Sequence, residues 1–268
     1  MLPRLFHIGN FSLPTYGLLV ASGVLIGLWI SVRNSEKQGI NGDHAWNLGI
    51  LVVLAGIVGA KVLLVVNEWG DRFRDNWREI FSLNTLQSGG VFSGGLIAAL
   101  LMAAWYIRKN KMPALRTVDG FAPGLAFGHV LGRFGCFAAG CCFGKETHLF
   151  WGVKFTDPVA HLWSDTPLNV ALHPTQLIEA AAEFLNFLFL MWLLPRKKFD
   201  GQVWGTFMIL YGIERYFIEF LRGDPGRGEV FGGIMTGTQL ISIFLVIGGG
   251  LIWWLRSGVP KQALSTSS

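Results

Sequence analysis

The chain has 268 residues, of which 51% are hydrophobic and 15% charged, against about 25% charged in an ordinary soluble domain. Mean hydropathy is +0.45, and the apolar residues, with 11 Trp and 21 Phe among them, fall in long blocks. That excludes a soluble globular protein and defines an all-α polytopic membrane protein. The net charge of +5 sits mainly in loops between the blocks, without a basic tail. It suits anionic lipid head groups and excludes nucleic acid as a partner.

The N-terminal MLPRLFHIGNF lacks a basic region followed directly by an apolar run and a small-residue cleavage site. No removable signal peptide is expected, and the first span is retained. Seven transmembrane helices are predicted, at residues 15–32, 45–66, 89–107, 117–136, 176–194, 202–221 and 237–255, each near the ~20 residues a bilayer requires. The fourth is diluted by glycines, Pro123, His129 and Arg133. With the N-terminus outside, eleven Lys and Arg fall inside (Arg33, Lys37, Arg108, Lys109, Lys111, Arg116, Arg196, Lys197, Lys198, Arg256 and Lys261). Eight then fall outside (Arg4, Arg72, Arg74, Arg78, Lys145, Lys154, Arg222 and Arg227). The excess places the C-terminus in the cytoplasm.

Two outside segments are too long for turns. Residues 67–88 mix Trp69, Phe73, Trp77 and Phe81 with alternating charge, which suits an interfacial helical arm. Residues 137–175, with Trp151, Trp163 and two Pro-containing steps, read as a small external head within a single membrane domain covering 1–268. No repeat and no inverted symmetry is present, which argues against a transporter.

In the sixth span, Tyr211, Arg215, Glu219 and Arg222 stand at offsets of 0, 4, 8 and 11, on one helical face. Charges at membrane depth are costly, so this face must look into protein or water. One Glu between two Arg leaves a positive charge that an anionic phosphate completes; a self-satisfied Arg–Glu network is the plain structural alternative. Gly120, Gly124, Gly128 and Gly132 repeat every four residues in the fourth span and permit close helix packing. His129 and Arg133 share a face one turn apart. Lys61 either adds a cation or snorkels.

His173 opens a His-Pro-Thr-Gln run that also reads as a helix start. Cys136, Cys141 and Cys142 lack a second CxxC or a His at zinc-ligand spacing, so they read as small buried hydrophobes and no metal is expected. Residues alone thus define a membrane-embedded cationic cavity for an anionic lipid, in either an enzyme or a non-enzymatic lipid-binding protein or transporter.

Residues 132–144, GRFGCFAAGCCFG, resemble the signature of the bacterial prolipoprotein diacylglyceryl transferases. Tyr16-Gly17, GGVFSGGLI at 89–97, His173-Pro-Thr-Gln-Leu and YGIERYFIEFLR at 211–222 extend the resemblance in order over nearly the whole chain. It implies seven transmembrane helices with the N-terminus outside, surface arms and a periplasmic head, in the bacterial inner (plasma) membrane. It also implies transfer of a diacylglyceryl group from phosphatidylglycerol to the lipobox cysteine thiol of a preprolipoprotein signal peptide, with a thioether as product and glycerol phosphate released. No metal or organic cofactor is implied, and a monomer among membrane lipids is expected.

By position, Arg133 resembles the family arginine that binds phosphatidylglycerol, and Arg215 its other essential arginine. Tyr16, Gly144, Glu219 and Arg222 match functional or cavity-lining positions. His129, His173, Gln176, Tyr211 and Lys61 complete the expected substrate-binding set with Ser93. Ser93 departs from the pattern: some members carry there a histidine proposed as general base, and others a tyrosine. Cys136 stands where some have Asn. His129 or the released phosphate is the expected proton acceptor.

Overall fold

The computed structural model describes residues 3–8, 11–82, 85, 89–224 and 227–258; Lys261, counted above among the inside cations, lies outside them. The chain is predominantly helical. Its long helices are α1 (Thr15–Lys37), α2 (Gly42–Asn67), α3 (Phe92–Lys109), α4 (Ala114–Ala139), α5 (Thr175–Leu193), α6 (Gln202–Ile218) and α7 (Gly237–Ser257). Among the described residues, four stretches are long and apolar enough to cross a membrane: Thr15–Lys37, Gly42–Asn67, Thr175–Arg196 and Gly237–Ser257. Of the others, α3 ends on Arg108 and Lys109, α4 carries Arg116, Asp119, His129 and Arg133 around Pro123, and α6 has 17 residues. Two compact units result, Met1–Gln38 with Val118–Ser268, and Gly39–Thr117.

In the first unit, the antiparallel strands β1 (Arg4–Ile8) and β2 (Phe11–Pro14) lead directly into α1. The buried face of α1 is small and polar: Gly23, Gly27, Ser31, Asn34 and Ser35. It lies against the glycine repeat of α4. A Cβ on Gly27 would stand 2.6 Å from the Gly124 carbonyl oxygen, and one on Gly23 3.0 Å from that of Gly128. The expected close packing therefore holds at Gly120, Gly124 and Gly128, while Gly132 faces open space. The same device joins α6 to α7, where a Cβ on Gly212 would lie 2.8 Å from the Ser242 carbonyl oxygen.

Ala122 and Ala126 of α4, Leu190, Leu193 and Leu194 at the end of α5, and Val203 and Phe207 of α6 form one apolar core. At its edge the fully buried Asp119 caps α6. Its carboxylate accepts from the backbone N–H of Gly201 at 2.8 Å and of Trp204 at 2.9 Å, and pairs with Lys197 Nζ at 2.7 Å. An acidic group at a helix N-terminus meets both unpaired amides and the positive end of the dipole.

Residues 140–173 form a small folded segment on a core of Phe143, Phe155 and Leu172. Its backbone is clipped to the end of α6: Lys145 N–H donates to the Leu221 carbonyl at 2.8 Å, and Gly223 N–H to that of Phe143 at 3.1 Å. A further bond runs from Gly144 N–H to the His173 carbonyl at 3.0 Å.

In the second unit α2 packs on α3 through the glycines of GGVFSGGLI; a Cβ on Gly95 would lie 2.8 Å from the Gly56 carbonyl oxygen. The 67–88 arm is not one interfacial helix. Its described part is a π turn at Trp69–Phe73 and a 3-10 turn at Trp77–Phe81. The alternating charges close on each other instead of lining a helix face. Arg72 donates from Nε to Glu79 at 2.7 Å and from Nη1 to Glu68 at 3.2 Å.

Burial is inverted relative to a soluble protein. Small and polar residues fill the helix seams, whereas Leu25, Ile57, Leu101, Phe217, Ile247 and Trp254 are exposed on the helices that carry them. An exterior of that kind requires hydrocarbon around it. Gly27→Ala is expected to cost about 1–3 kcal/mol through overpacking, despite the higher helix propensity of alanine. Gly132→Ala should leave thermal stability in detergent near that of the parent chain.

Candidate active site

Three helices of the first unit bring charge together. Arg133, on the last turns of α4, places Nη2 2.6 Å from Glu179 Oε1 on α5. Arg215 of α6 places Nε 3.7 Å from the same oxygen and Nη2 3.1 Å from Glu219 Oε2. Glu179 is only 1% exposed. The carboxylate is thus shared by two guanidinium groups from different helices. Arg215 Nη1 is buried with no hydrogen-bond partner among the described residues.

The predicted face of the sixth span is realised only in part. Helix α6 ends at Ile218, Glu219–Leu221 form a 3-10 turn, and Arg222 is extended. Arg222 is therefore placed by the antiparallel bridge to Gly144, not by helical periodicity. Nor does it stand as an unpaired cation. Its Nε and Nη2 each donate to the Asp224 carboxylate at 2.7 Å. Burial opposes both charges, but this fork outweighs it, holding the Asp224 carboxyl below its usual range and raising the Arg222 guanidinium.

Glu219 accepts from Arg227 Nε at 2.9 Å, from Arg227 Nη2, and from Thr236 Oγ1 at 2.8 Å. Thr236 is also the cap of α7, in a reciprocal box with Gln239. The start of the last helix is thereby fastened to the site.

The other expected residues are distributed as follows. Tyr16 packs beside the arginine-bearing end of α4, since a Cβ on Gly135 would lie 3.2 Å from its ring. His129 stacks obliquely near Tyr211, 5.3 Å between ring centres, and its Nδ1 is 4.0 Å from Glu183 Oε1. Gln176 is fully buried and donates from Nε2 to the Cys141 carbonyl at 2.7 Å, so it braces the 136–142 turn. His173 Nδ1 accepts from Trp151 Nε1 at 3.1 Å, and Gly144 lies against His173 and Leu221. Lys61 and Ser93 belong to the second unit: Lys61 Nζ donates to the Thr85 carbonyl at 2.7 Å, and Ser93 is exposed.

Five residues of this network were not singled out in the sequence: Glu179, Glu183, Glu214, Asp224 and Arg227. Glu179, Glu183 and Asn186 recur at i, i+4 and i+7 in an apolar span, the same signal that marked the sixth span. Asn186 Nδ2 donates to Glu214 Oε2 at 3.0 Å, joining α5 to α6. Asp224 and Arg227 follow the span in a Gly/Pro-rich loop and carry no periodic signal.

Chemically, guanidinium groups held at fixed positions in a water-poor site suit a reaction in which negative charge develops on oxygen. The fold and the site define a membrane protein with a buried arginine–carboxylate network.

The sequence profile of prolipoprotein diacylglyceryl transferase matches residues 3–255, and the chain belongs to that family. A phosphatidylglycerol–prolipoprotein diacylglyceryl transferase of Clostridium tetani (strain Massachusetts / E88) is 36% identical over 250 residues, 93% of this chain and 95% of the relative. One named phosphatidylglycerol–prolipoprotein diacylglyceryl transferase 2, from Clostridium perfringens (strain 13 / Type A), is 36% identical over 240 residues, 89% of each. That of Finegoldia magna (strain ATCC 29328 / DSM 20472 / WAL 2508) is 32% identical over 249 residues, 92% of each.

Glu179→Ala removes the shared partner of the buried Arg215 and the half-buried Arg133 and is expected to cost about 3–5 kcal/mol, read as a fall in unfolding temperature in detergent. Asp224→Ala, at a partly exposed pair, should cost less. Because the Asp224 carboxyl is depressed, its contribution persists above the unfolded value of about 3.9 and is lost as pH falls through the folded one. A loss of stability of that pair on the alkaline side, measured against Asp224→Ala, would contradict the assignment.

Proposed function

We propose that this chain transfers the diacylglyceryl group of phosphatidylglycerol to the lipobox cysteine thiol of a preprolipoprotein. The observation that carries the reading is the convergence of Arg133 and Arg215 on one buried carboxylate, in a member of this family. The thiol sulfur attacks the glyceryl carbon, the bond from that carbon to the phosphate oxygen breaks, and glycerol phosphate leaves with the electron pair. Arg133 and Arg215 bind the phosphate and stabilise the charge that builds on it. The same cations favour thiolate at the incoming cysteine.

The thiol proton passes to His129 or to the departing phosphate. A neighbouring Glu183 stabilises the imidazolium that the first route produces. Tyr16, Gly144, His173, Gln176, Tyr211, Glu219 and Arg222, all of the first unit, complete the lipid and peptide site. Serine is no proton acceptor near neutral pH, so the proton goes elsewhere than Ser93.

In this reading α3, α4 and α6 cross the bilayer with the four more apolar helices, giving seven spans. The N-terminus and the 140–173 head face outward from the bacterial inner membrane, and the C-terminus is cytoplasmic. The enzyme works as a monomer without cofactor.

The test is intact mass spectrometry of a lipobox peptide incubated with purified protein in phosphatidylglycerol micelles. A diacylglyceryl mass gain is expected on the cysteine peptide and not on its Cys→Ser analogue; no gain overturns the reading. Arg133→Ala and Arg215→Ala should each lower the rate by about a hundred-fold or more. For His129→Gln, a loss of about a hundred-fold or more assigns the base to His129, whereas full activity assigns the proton to the phosphate.

A further inference from the structure

Three side chains beside the site have no part in this transfer. Cys136, Cys141 and Cys142 bring their Sγ atoms within 4.8 Å of one another. The convergence comes from the backbone. Helix α4 ends at Ala139, and Gly140 (φ +85°) and Cys142 (φ +63°) take the left-handed conformation that folds the chain back on the helix end. Two bonds that do not involve the thiols clamp this turn: Gln176 Nε2 to the Cys141 carbonyl and Thr175 Oγ1 to the Cys142 carbonyl, both at 2.7 Å. Gln176 and Thr175 are fully buried. The sulfurs are thus preorganised by residues other than themselves, and all three are partly exposed, so a small ion can reach them.

A metal–thiolate bond of about 2.3 Å puts the sulfurs of a trigonal site about 4 Å apart. The observed spacing, within 4.8 Å, is close to that size. Among the described residues, no His, Asp or Glu completes the cluster. Structural zinc takes four protein ligands, whereas soft thiolate sets select copper(I). Three thiolates around a monovalent cation carry two net negative charges. Arg133 stands one turn before Cys136 on α4, and the backbone of Arg222 is bridged to Gly144, two residues past Cys142; these cations supply the balance.

We propose that Cys136, Cys141 and Cys142 form a three-coordinate site for a thiophilic monovalent metal ion of the copper(I) type. Occupation draws Arg133 toward the metal–thiolate centre and away from phosphate, and so inhibits transfer. This second part rests on the function proposed above, and the binding itself does not.

Purified full-length protein, reduced and kept anaerobic, is titrated with copper(I) against the chelator bicinchoninate. One equivalent per chain should be retained, with three sulfur scatterers in copper-edge X-ray absorption. The variant Cys136→Ser/Cys141→Ser/Cys142→Ser should lose that equivalent. Should the triple variant fail to fold, wild-type protein alkylated with N-ethylmaleimide serves in its place. No retained ion, equal retention after thiol removal, or nitrogen and oxygen scatterers overturn the site.

With copper bound, transfer to a lipobox peptide should fall about a hundred-fold in the wild type and not in the triple variant. Binding without inhibition overturns the coupling to Arg133. Protein that transfers nothing even without copper overturns the proposed function while leaving the titration readable.

Discussion

Glu179 is the point at which α4, α5 and α6 are tied electrically. A carboxylate excluded from water is tolerable only with cations close by, and here two are supplied, Arg133 from α4 and Arg215 from α6. Removing a partner from such a site leaves a buried charge unmatched. The three helices must therefore converge at this depth, and the packing around them is arranged to let them. Ala122 and Ala126 of α4 keep side chains short where α5 and α6 approach, and the glycine seams with α1 and α7 let those helices close in from outside.

The pairing also bears on catalysis. Four arginines of the first unit are already met by carboxylates, so the site is not an open cationic pocket. The carboxylates hold the guanidinium groups in place before any anion arrives, and Arg215 Nη1 keeps a donor uncommitted. Under the proposed reaction, an arriving phosphate competes with Glu179 for donors that need no reorganisation. Preorganised donors of this kind stabilise developing charge better than mobile ones. Under the proposed reaction, the acid–base network and the phosphate site are therefore one structure.

What was legible in the sequence follows from periodicity. The apolar blocks fixed the helices to within a few residues, and the four-residue glycine repeat foretold the α1–α4 seam at Gly120, Gly124 and Gly128. Arg133, Arg215 and Glu219 were visible because charge in an apolar span is costly. The partners were visible by the same reasoning at Glu179 and Glu183, yet a glutamate in an otherwise apolar helix draws less notice than an arginine beside a family motif. Periodicity set Arg222 on the helical face, where it does not lie, and had nothing to say about Asp224 and Arg227; all three come after the end of α6. Their pairing is made beyond the helix, where Arg222 is bridged to Gly144 from far earlier in the chain. The convergence of the cysteine sulfurs was hidden for a local reason: it accompanies the left-handed backbone of Gly140 and Cys142, which a CxxxxCC spacing does not announce.

The contact between the 140–173 segment and the end of α6 fixes the backbone at the site. Gly144 has a His173 carbonyl and a Leu221 carbonyl so close that a Cβ would lie 2.6 and 2.9 Å from them, so the strand carrying the family signature can reach the end of α6 only as glycine. Through this bridge the backbone of Arg222 is set by the fold of residues 140–173, and through Thr236 the carboxylate of Glu219 is set by the cap of α7. Charged groups at the end of a short helix would otherwise fray with it. Here both are clamped from outside the helix, and the geometry of the arginines depends on the 140–173 segment and the start of α7 folding correctly around them.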